Sequence, residues 1–198
     1  MNLPNKLTVS RLVLTPLFFI AYHLGSWIDP SLASLSSILT IGMWVMIELS
    51  DLLDGIIARR RNLVTDLGKV MDPFADTLSR ITYFLCFTGS GFMPLWVFSL
   101  IVWRELSILF VRMLMMGKGK AVAANIFGKA KAVLYAISGG MGILYVALTH
   151  WAQDSSILEW GYPLMQVIFA LAAISSVASF VIYVRVILKS KALHGMSR

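Results

Sequence analysis

The chain of 198 residues is 58% hydrophobic and only 14% charged, with a mean hydropathy of +0.79. A soluble domain carries about 25% charged residues, so this composition excludes a water-soluble globule and points to lipid surroundings. The formal charge of +7 would suit nucleic acid in a soluble protein. In an apolar chain, cytoplasmic loops and anionic headgroups account for it, and no nucleic-acid partner is expected.

Taken in order, the chain predicts an all-α integral membrane protein, a single membrane domain over residues 1–198, with six transmembrane helices and a short N-terminal interfacial helix. Residues 1–10 form that interfacial start, with Asn5 or Thr8 as a cap for the first helix and Lys6 and Arg11 marking a charged boundary. A first span covers about 9–27, with Pro16 inside it. The second runs from about 32 to 51 and continues to 58, and the third from about 68 to 91. A fourth covers about 94–116, a fifth about 126–150 and a sixth about 162–188. Trp27, Trp151, Trp160 and Tyr162 read as an interfacial aromatic belt. The glycines at 139, 140 and 142 read as helix packing, since no strand precedes them to form a dinucleotide loop. His23, His150 and His194 are scattered and form no triad.

Six spans put both termini on one side, and the charges choose which. Lys and Arg gather at the N-terminus, at the exits of the even-numbered spans and at the C-terminus, Arg60, Lys118 and Lys191 among them. The loops around Asp29, Gly91 and Asp154 contain none. This asymmetry predicts both termini in the cytoplasm, with the cell inner membrane as the expected location.

The chain is organised around residues 51–76, where four carboxylates lie between apolar runs. Asp51 and Asp54 are three apart and Asp72 and Asp76 four apart, so each pair shares a helix face. Two helices joined by the polar, basic turn between them bring four carboxylates to one point. Carboxylates alone are hard oxygen ligands, suited to Mg²⁺, Mn²⁺ or Ca²⁺ rather than zinc. Gly55 and Gly68, on the same faces, leave room for a base or diphosphate to approach the backbone. Arg59 offers a bidentate guanidinium to a phosphate oxygen. The plain alternative is a solvated face in which these aspartates pair with Arg59, Arg60, Arg61 and Lys69.

The pattern Asp51-x2-Asp54-Gly55-x2-Ala58-Arg59-x8-Gly68-x3-Asp72-x3-Asp76 resembles, at eight fixed positions within 26 residues, the signature of the CDP-alcohol phosphotransferases. Chain length and the six-span layout are similar to that family too. The resemblance implies displacement of CMP from a CDP-linked lipid by an alcohol, with two divalent cations, Mg²⁺ or Mn²⁺, as cofactors. It assigns Asp51, Asp54, Asp72 and Asp76 to the metals and Asp76 to general base. Asn5, Thr8, Gly55, Ala58, Arg59, Thr65 and Gly68 fall to the CDP-lipid, with helix capping an equal alternative for Asn5 and Thr8. It also implies a homodimer in contact with membrane lipids.

The acceptor alcohol is read from cations beyond the aspartates. Arg80 lies one turn past Asp76, Arg104 and Arg112 share part of a face in the fourth span, and Lys129 and Lys131 open the fifth. Intramembrane cations are candidate sites, here for an acceptor phosphate. The alternatives are that Arg104 pairs with Glu105 or Glu48 and that Arg112 and the lysines anchor helix ends. Pro4-Asn5-x2-Thr8-x2-Arg11, Asp72-Pro73-x-Ala75-Asp76, Arg104-Glu105 and Gly128-Lys129-x-Lys131 resemble the branch that uses CDP-diacylglycerol and glycerol 3-phosphate. Thr77 and Ala132 depart from it, where Lys and Thr are usual. Inositol phosphate, or phosphatidylglycerol to give cardiolipin, are the alternative acceptors, and a membrane transporter is the alternative class.

Overall fold

The computed structural model describes residues 2–60, 65–116, 126–152 and 156–189. Helices α1 (Leu3–Trp27), α2 (Ala33–Arg60), α3 (Asp66–Gly89), α4 (Leu95–Met116), α5 (Ile126–Trp151) and α6 (Ser156–Lys189) account for nearly all of it, with a 3₁₀ turn at Pro30–Leu32. No strand occurs among the described residues. At 1.5 Å per residue, helices of 22 to 34 residues are each about as long as a bilayer core is thick or longer.

Four segments, Leu3–Trp27, Pro30–Ala58, Ala130–Trp151 and Ser156–Arg185, are long and apolar enough to cross a membrane. Helices α3 and α4 fall outside that set because Asp72, Asp76 and Arg80 interrupt one and Arg104, Glu105 and Arg112 the other. Of those six, Arg104 and Glu105 are buried within the protein. Ionisable groups inside a membrane are tolerated when they face a bundle interior and pair there.

The N-terminus differs from expectation. There is no separate interfacial helix: α1 starts at Leu3 and runs unbroken to Trp27. Its cap is Asn2, whose side chain accepts from the Asn5 backbone N–H at 3.1 Å, with Pro4 preset for the first turn. Asn5, Thr8 and Arg11 are thereby freed from capping and are buried, at 6%, 0% and 1% exposure. The sixth helix also begins earlier than expected, at Ser156, and carries Pro163 in its interior.

Helix α1 packs against α2 and α3, α5 against α6 and α2, and α4 against α3 and α6. Aromatic side chains of α3 join the groups: Tyr83 meets Phe18 of α1 at 4.7 Å between centroids, Phe84 meets Tyr135 of α5 at 5.4 Å, and Phe87 meets Phe169 of α6 at 5.9 Å. The α5 glycines serve this packing, as expected. A Cβ on Gly142 would stand 2.6 Å from the fully buried Phe87 ring, and one on Gly140 2.9 Å from Trp44. Between α3 and α4 the chain turns on Gly91 at φ +77°, while Phe87 O accepts from the Phe92 and Met93 backbone N–H groups. Cys86 is buried and unpaired with any other cysteine. Trp27, Trp151, Trp160 and Tyr162 are all exposed, at the helix ends where the belt was expected.

Candidate active site

Three helices converge on the four aspartates. Asp51 and Asp54 project from α2, Asp72 and Asp76 from α3, and the guanidinium of Arg11 on α1 stands between them. Nη1 of Arg11 donates to Oδ1 of Asp51 and to Oδ1 of Asp76, each at 2.5 Å. Nη2 donates to Oδ2 of Asp54 at 2.5 Å and lies 3.9 Å from Oδ1 of Asp72. One arginine therefore bonds three of the carboxylates and stands within ion-pair distance of the fourth. The side chains of Asp51 and Asp72 are 37% and 45% exposed while that of Arg11 is 1% exposed, so the guanidinium forms the floor of an acidic opening.

Thr8, one turn before Arg11, donates its hydroxyl to Oδ1 of Asp72 at 2.6 Å and stands 3.4 Å from Oδ2 of Asp54. Asn5, a turn earlier still, exchanges hydrogen bonds of 3.2 Å with the Thr65 hydroxyl. Thr65 is the N-cap of α3 and accepts from the Gly68 N–H at 3.0 Å. A Cβ on Gly68 would come within 3.1 Å of Asn5 Oδ1 and 3.2 Å of the Thr65 hydroxyl, so glycine fits where a side chain would crowd both. Asn5, Thr8, Thr65 and Gly68, scattered across 64 positions, thus border the same opening as the aspartates. Gly55 and Ala58 are half-buried on α2 just beyond Asp54. The side chain of Arg59 and the whole of Arg61 lie outside the described residues.

On the far side of Asp76, Arg80 sets its Nη2 3.8 Å from Asp76 Oδ2. Among the described residues, these ion pairs set Arg11 and Arg80, two positive charges, against the four formal negative ones. Beyond Arg80 lies a second polar cluster, between α4, α5 and α6. Arg104 and Lys131 meet there, and both bond Glu105, at 2.9 Å and 2.6 Å. The pairing of Arg104 with Glu105 was the plain alternative in the sequence, and it is what the fold makes. Arg112 is exposed and joins neither cluster, and the Lys129 side chain lies outside the described residues. Of the histidines, His23 stacks on Trp27 and His150 bonds Ser37, while His194 lies outside the described residues.

Sequence reasoning missed Arg11 as a site residue and took it for a boundary charge. The signal was present: Asn5, Thr8 and Arg11 recur every three positions, a polar stripe along one face of an otherwise apolar helix. Glu105 was weighed only as a partner for Arg104.

A profile described as CDP-alcohol phosphatidyltransferase matches residues 1–178. The chain belongs to that family. It is an integral membrane transferase of phospholipid synthesis. A Treponema pallidum protein called CDP-diacylglycerol–glycerol-3-phosphate 3-phosphatidyltransferase is 31% identical over 194 residues, covering 93% of this chain and 88% of its own. A Bacillus subtilis protein of the same name is 33% identical over 139 residues, 66% of this chain and 70% of that one. A Mycobacterium tuberculosis protein called probable phosphatidylglycerophosphate synthase is 29% identical over 143 residues, 72% of this chain and 66% of its own.

Proposed function

We propose that the protein transfers the phosphatidyl group of CDP-diacylglycerol to glycerol 3-phosphate, giving phosphatidylglycerophosphate and CMP. The observation that carries this reading is the meeting of Asp51, Asp54, Asp72 and Asp76 at one point, within reach of a single guanidinium. The names of the relatives from Treponema and Bacillus supply the substrates.

Four carboxylates are a hard, all-oxygen donor set, and their negative charge matches divalent cations. As the side chains are placed, no three acidic or imidazole groups among the described residues cage an ion, because the Arg11 guanidinium takes the centre. The donor set therefore fits Mg²⁺ or Mn²⁺ on condition that the guanidinium yields carboxylate oxygens to them. Two such ions held by the four aspartates would neutralise the diphosphate of the CDP-lipid.

The chain's own groups do the rest. Asp76 accepts the proton of the acceptor hydroxyl as its oxygen attacks the phosphorus that carries diacylglycerol. The bond from that phosphorus to the bridging oxygen breaks, and CMP leaves with the electron pair. Asn5, Thr8, Thr65 and Gly68, with Gly55, Ala58 and Arg59, border the CDP-lipid, whose phosphates gain from the N-terminus of α3. Arg80, Arg104 and Lys131 take the acceptor phosphate. All six helices span the inner membrane, α4 pairing Arg104 with Glu105 inside the bundle, and both termini are cytoplasmic. The protein acts as a homodimer.

The test is product identity. Purified protein receives CDP-diacylglycerol and Mg²⁺, with glycerol 3-phosphate, inositol phosphate, serine and phosphatidylglycerol offered separately. The expected result is phosphatidylglycerophosphate and one CMP per lipid with glycerol 3-phosphate alone. A lipid product formed only with another acceptor contradicts the acceptor assignment.

A further inference from the structure

Helix α4 carries a carboxylate that the transfer step does not use. Glu105 is 5% exposed, and its Oε1 accepts from Arg104 Nη1 of its own helix and from Lys131 Nζ of α5. Arg104 Nη2 donates onward to the Ser179 hydroxyl of α6 at 2.9 Å. Lys131 Nζ also stands 4.5 Å over the Tyr135 ring, whose hydroxyl donates to Ser176 of α6 at 2.7 Å. The carboxylate oxygen thus ties α4 to α5, and Arg104 carries the link on to α6.

Two features set this cluster apart from an ion pair that only holds helices together. Its charge does not balance, since two cations, Arg104 and Lys131, share one carboxylate. Its donors are not all used either: Arg104 is 8% exposed, yet its Nε is buried without a hydrogen-bond partner among the described residues. A buried structural pair is stable when its charges cancel and its donors are satisfied. Excess positive charge with spare donors is what an anion requires. Glu105 sets how far apart the two cations stand, because both reach for the same atom. Without its charge, Arg104 and Lys131 repel and their long side chains are no longer held to one geometry.

We propose that Glu105 is a positioning residue for the acceptor, sharing one oxygen between Arg104 and Lys131 so that these cations are preset for a phosphate group. This rests on the reading that the acceptor phosphate is taken there, and adds the carboxylate that arranges the cations. Glutamine has the same reach but no charge, so it accepts a hydrogen bond without offsetting the repulsion. Aspartate keeps the charge and shortens the reach.

Steady-state kinetics on the full chain in detergent, with thermal unfolding alongside, test the proposal. Glu105→Gln is expected to raise the glycerol 3-phosphate KM by about tenfold or more, the loss typical of a disturbed charged contact. The inhibition constant of inorganic phosphate as a competitor rises in step, while the CDP-diacylglycerol KM stays within about twofold. Glu105→Asp recovers part of the loss, as a purely steric role would not. Ser179→Ala, which loosens Arg104 from its other side, shifts the acceptor KM in the same direction by less. Should Glu105→Gln fail to fold, the aspartate and Ser179 variants carry the test with the same expected direction. An unchanged acceptor KM, or equal rises for both substrates, overturns the proposal. If Arg104→Gln and Lys131→Gln raise the acceptor KM while Glu105→Gln does not, the acceptor site stands and only the role of Glu105 falls. If none of the three raises it, the acceptor site itself is wrong.

Discussion

Asp76→Asn lowers kcat by about 10³-fold, within the range for loss of a general base, and leaves the KM for CDP-diacylglycerol nearly unchanged. The split follows from the general-base role proposed for Asp76. Asp76 lies where the two clusters meet, with Oδ1 on Arg11 and Oδ2 facing Arg80. Asparagine fills the same space and still offers an oxygen to Arg11, so the opening keeps its shape and the nucleotide end keeps its contacts. What the amide lacks is the basicity to take a proton from an alcohol, a weak nucleophile until that proton leaves. CMP release under saturating substrates gives kcat, and titration of the CDP-lipid gives its KM. Wild-type turnover in this variant would remove Asp76 from the proton transfer.

Arg11→Met destabilises the protein by about 3 kcal/mol when divalent cations are chelated, and added Mn²⁺ recovers most of the loss. Removing one partner of a buried ion pair costs about 3–5 kcal/mol because the other charge is left unpaired. The lower end applies because Asp51 and Asp72 remain well exposed to solvent and are screened by it. Methionine preserves most of the packed stem, so the change isolates the charge. At the proposed metal centre Mn²⁺ would draw on the same carboxylate oxygens as the guanidinium, so ions would bind the variant without displacing an internal cation. The rise in melting temperature on adding Mn²⁺ is therefore larger for Arg11→Met than for the parent, as mass action requires for the tighter binder. Equal rises in the two proteins would mean that Arg11 and the ions do not share the site.

What the sequence disclosed and what it concealed follow from the range of the interactions. Pairing of Asp51 with Asp54, and of Asp72 with Asp76, is local, and helical periodicity alone places each pair on one face. Helix positions were legible for the same reason, since long apolar runs bounded by turn residues announce themselves. The role of Arg11 is not local: it depends on α1 crossing both α2 and α3, and residues 40 and 65 positions away supply its partners. Arg104 and Glu105 are adjacent in sequence and so point about 100° apart on an ideal helix. Only the approach of Lys131 from α5 and Ser179 from α6 gives that pair its geometry. The N-terminal helix was expected at the membrane surface because its polar residues resemble an interfacial face. That face turns inward because the carboxylates of α2 and α3 receive it.

The claim on which the account rests is that the four aspartates form a centre for divalent cations. Counting Mn²⁺ bound per chain by electron paramagnetic resonance, without substrate or turnover, tests it directly. Two ions per chain are expected in the parent protein, with loss of at least one in Asp51→Asn and in Asp72→Asn. Binding that is absent from the parent, or that survives intact when Asp51 and Asp72 are both replaced, would contradict it.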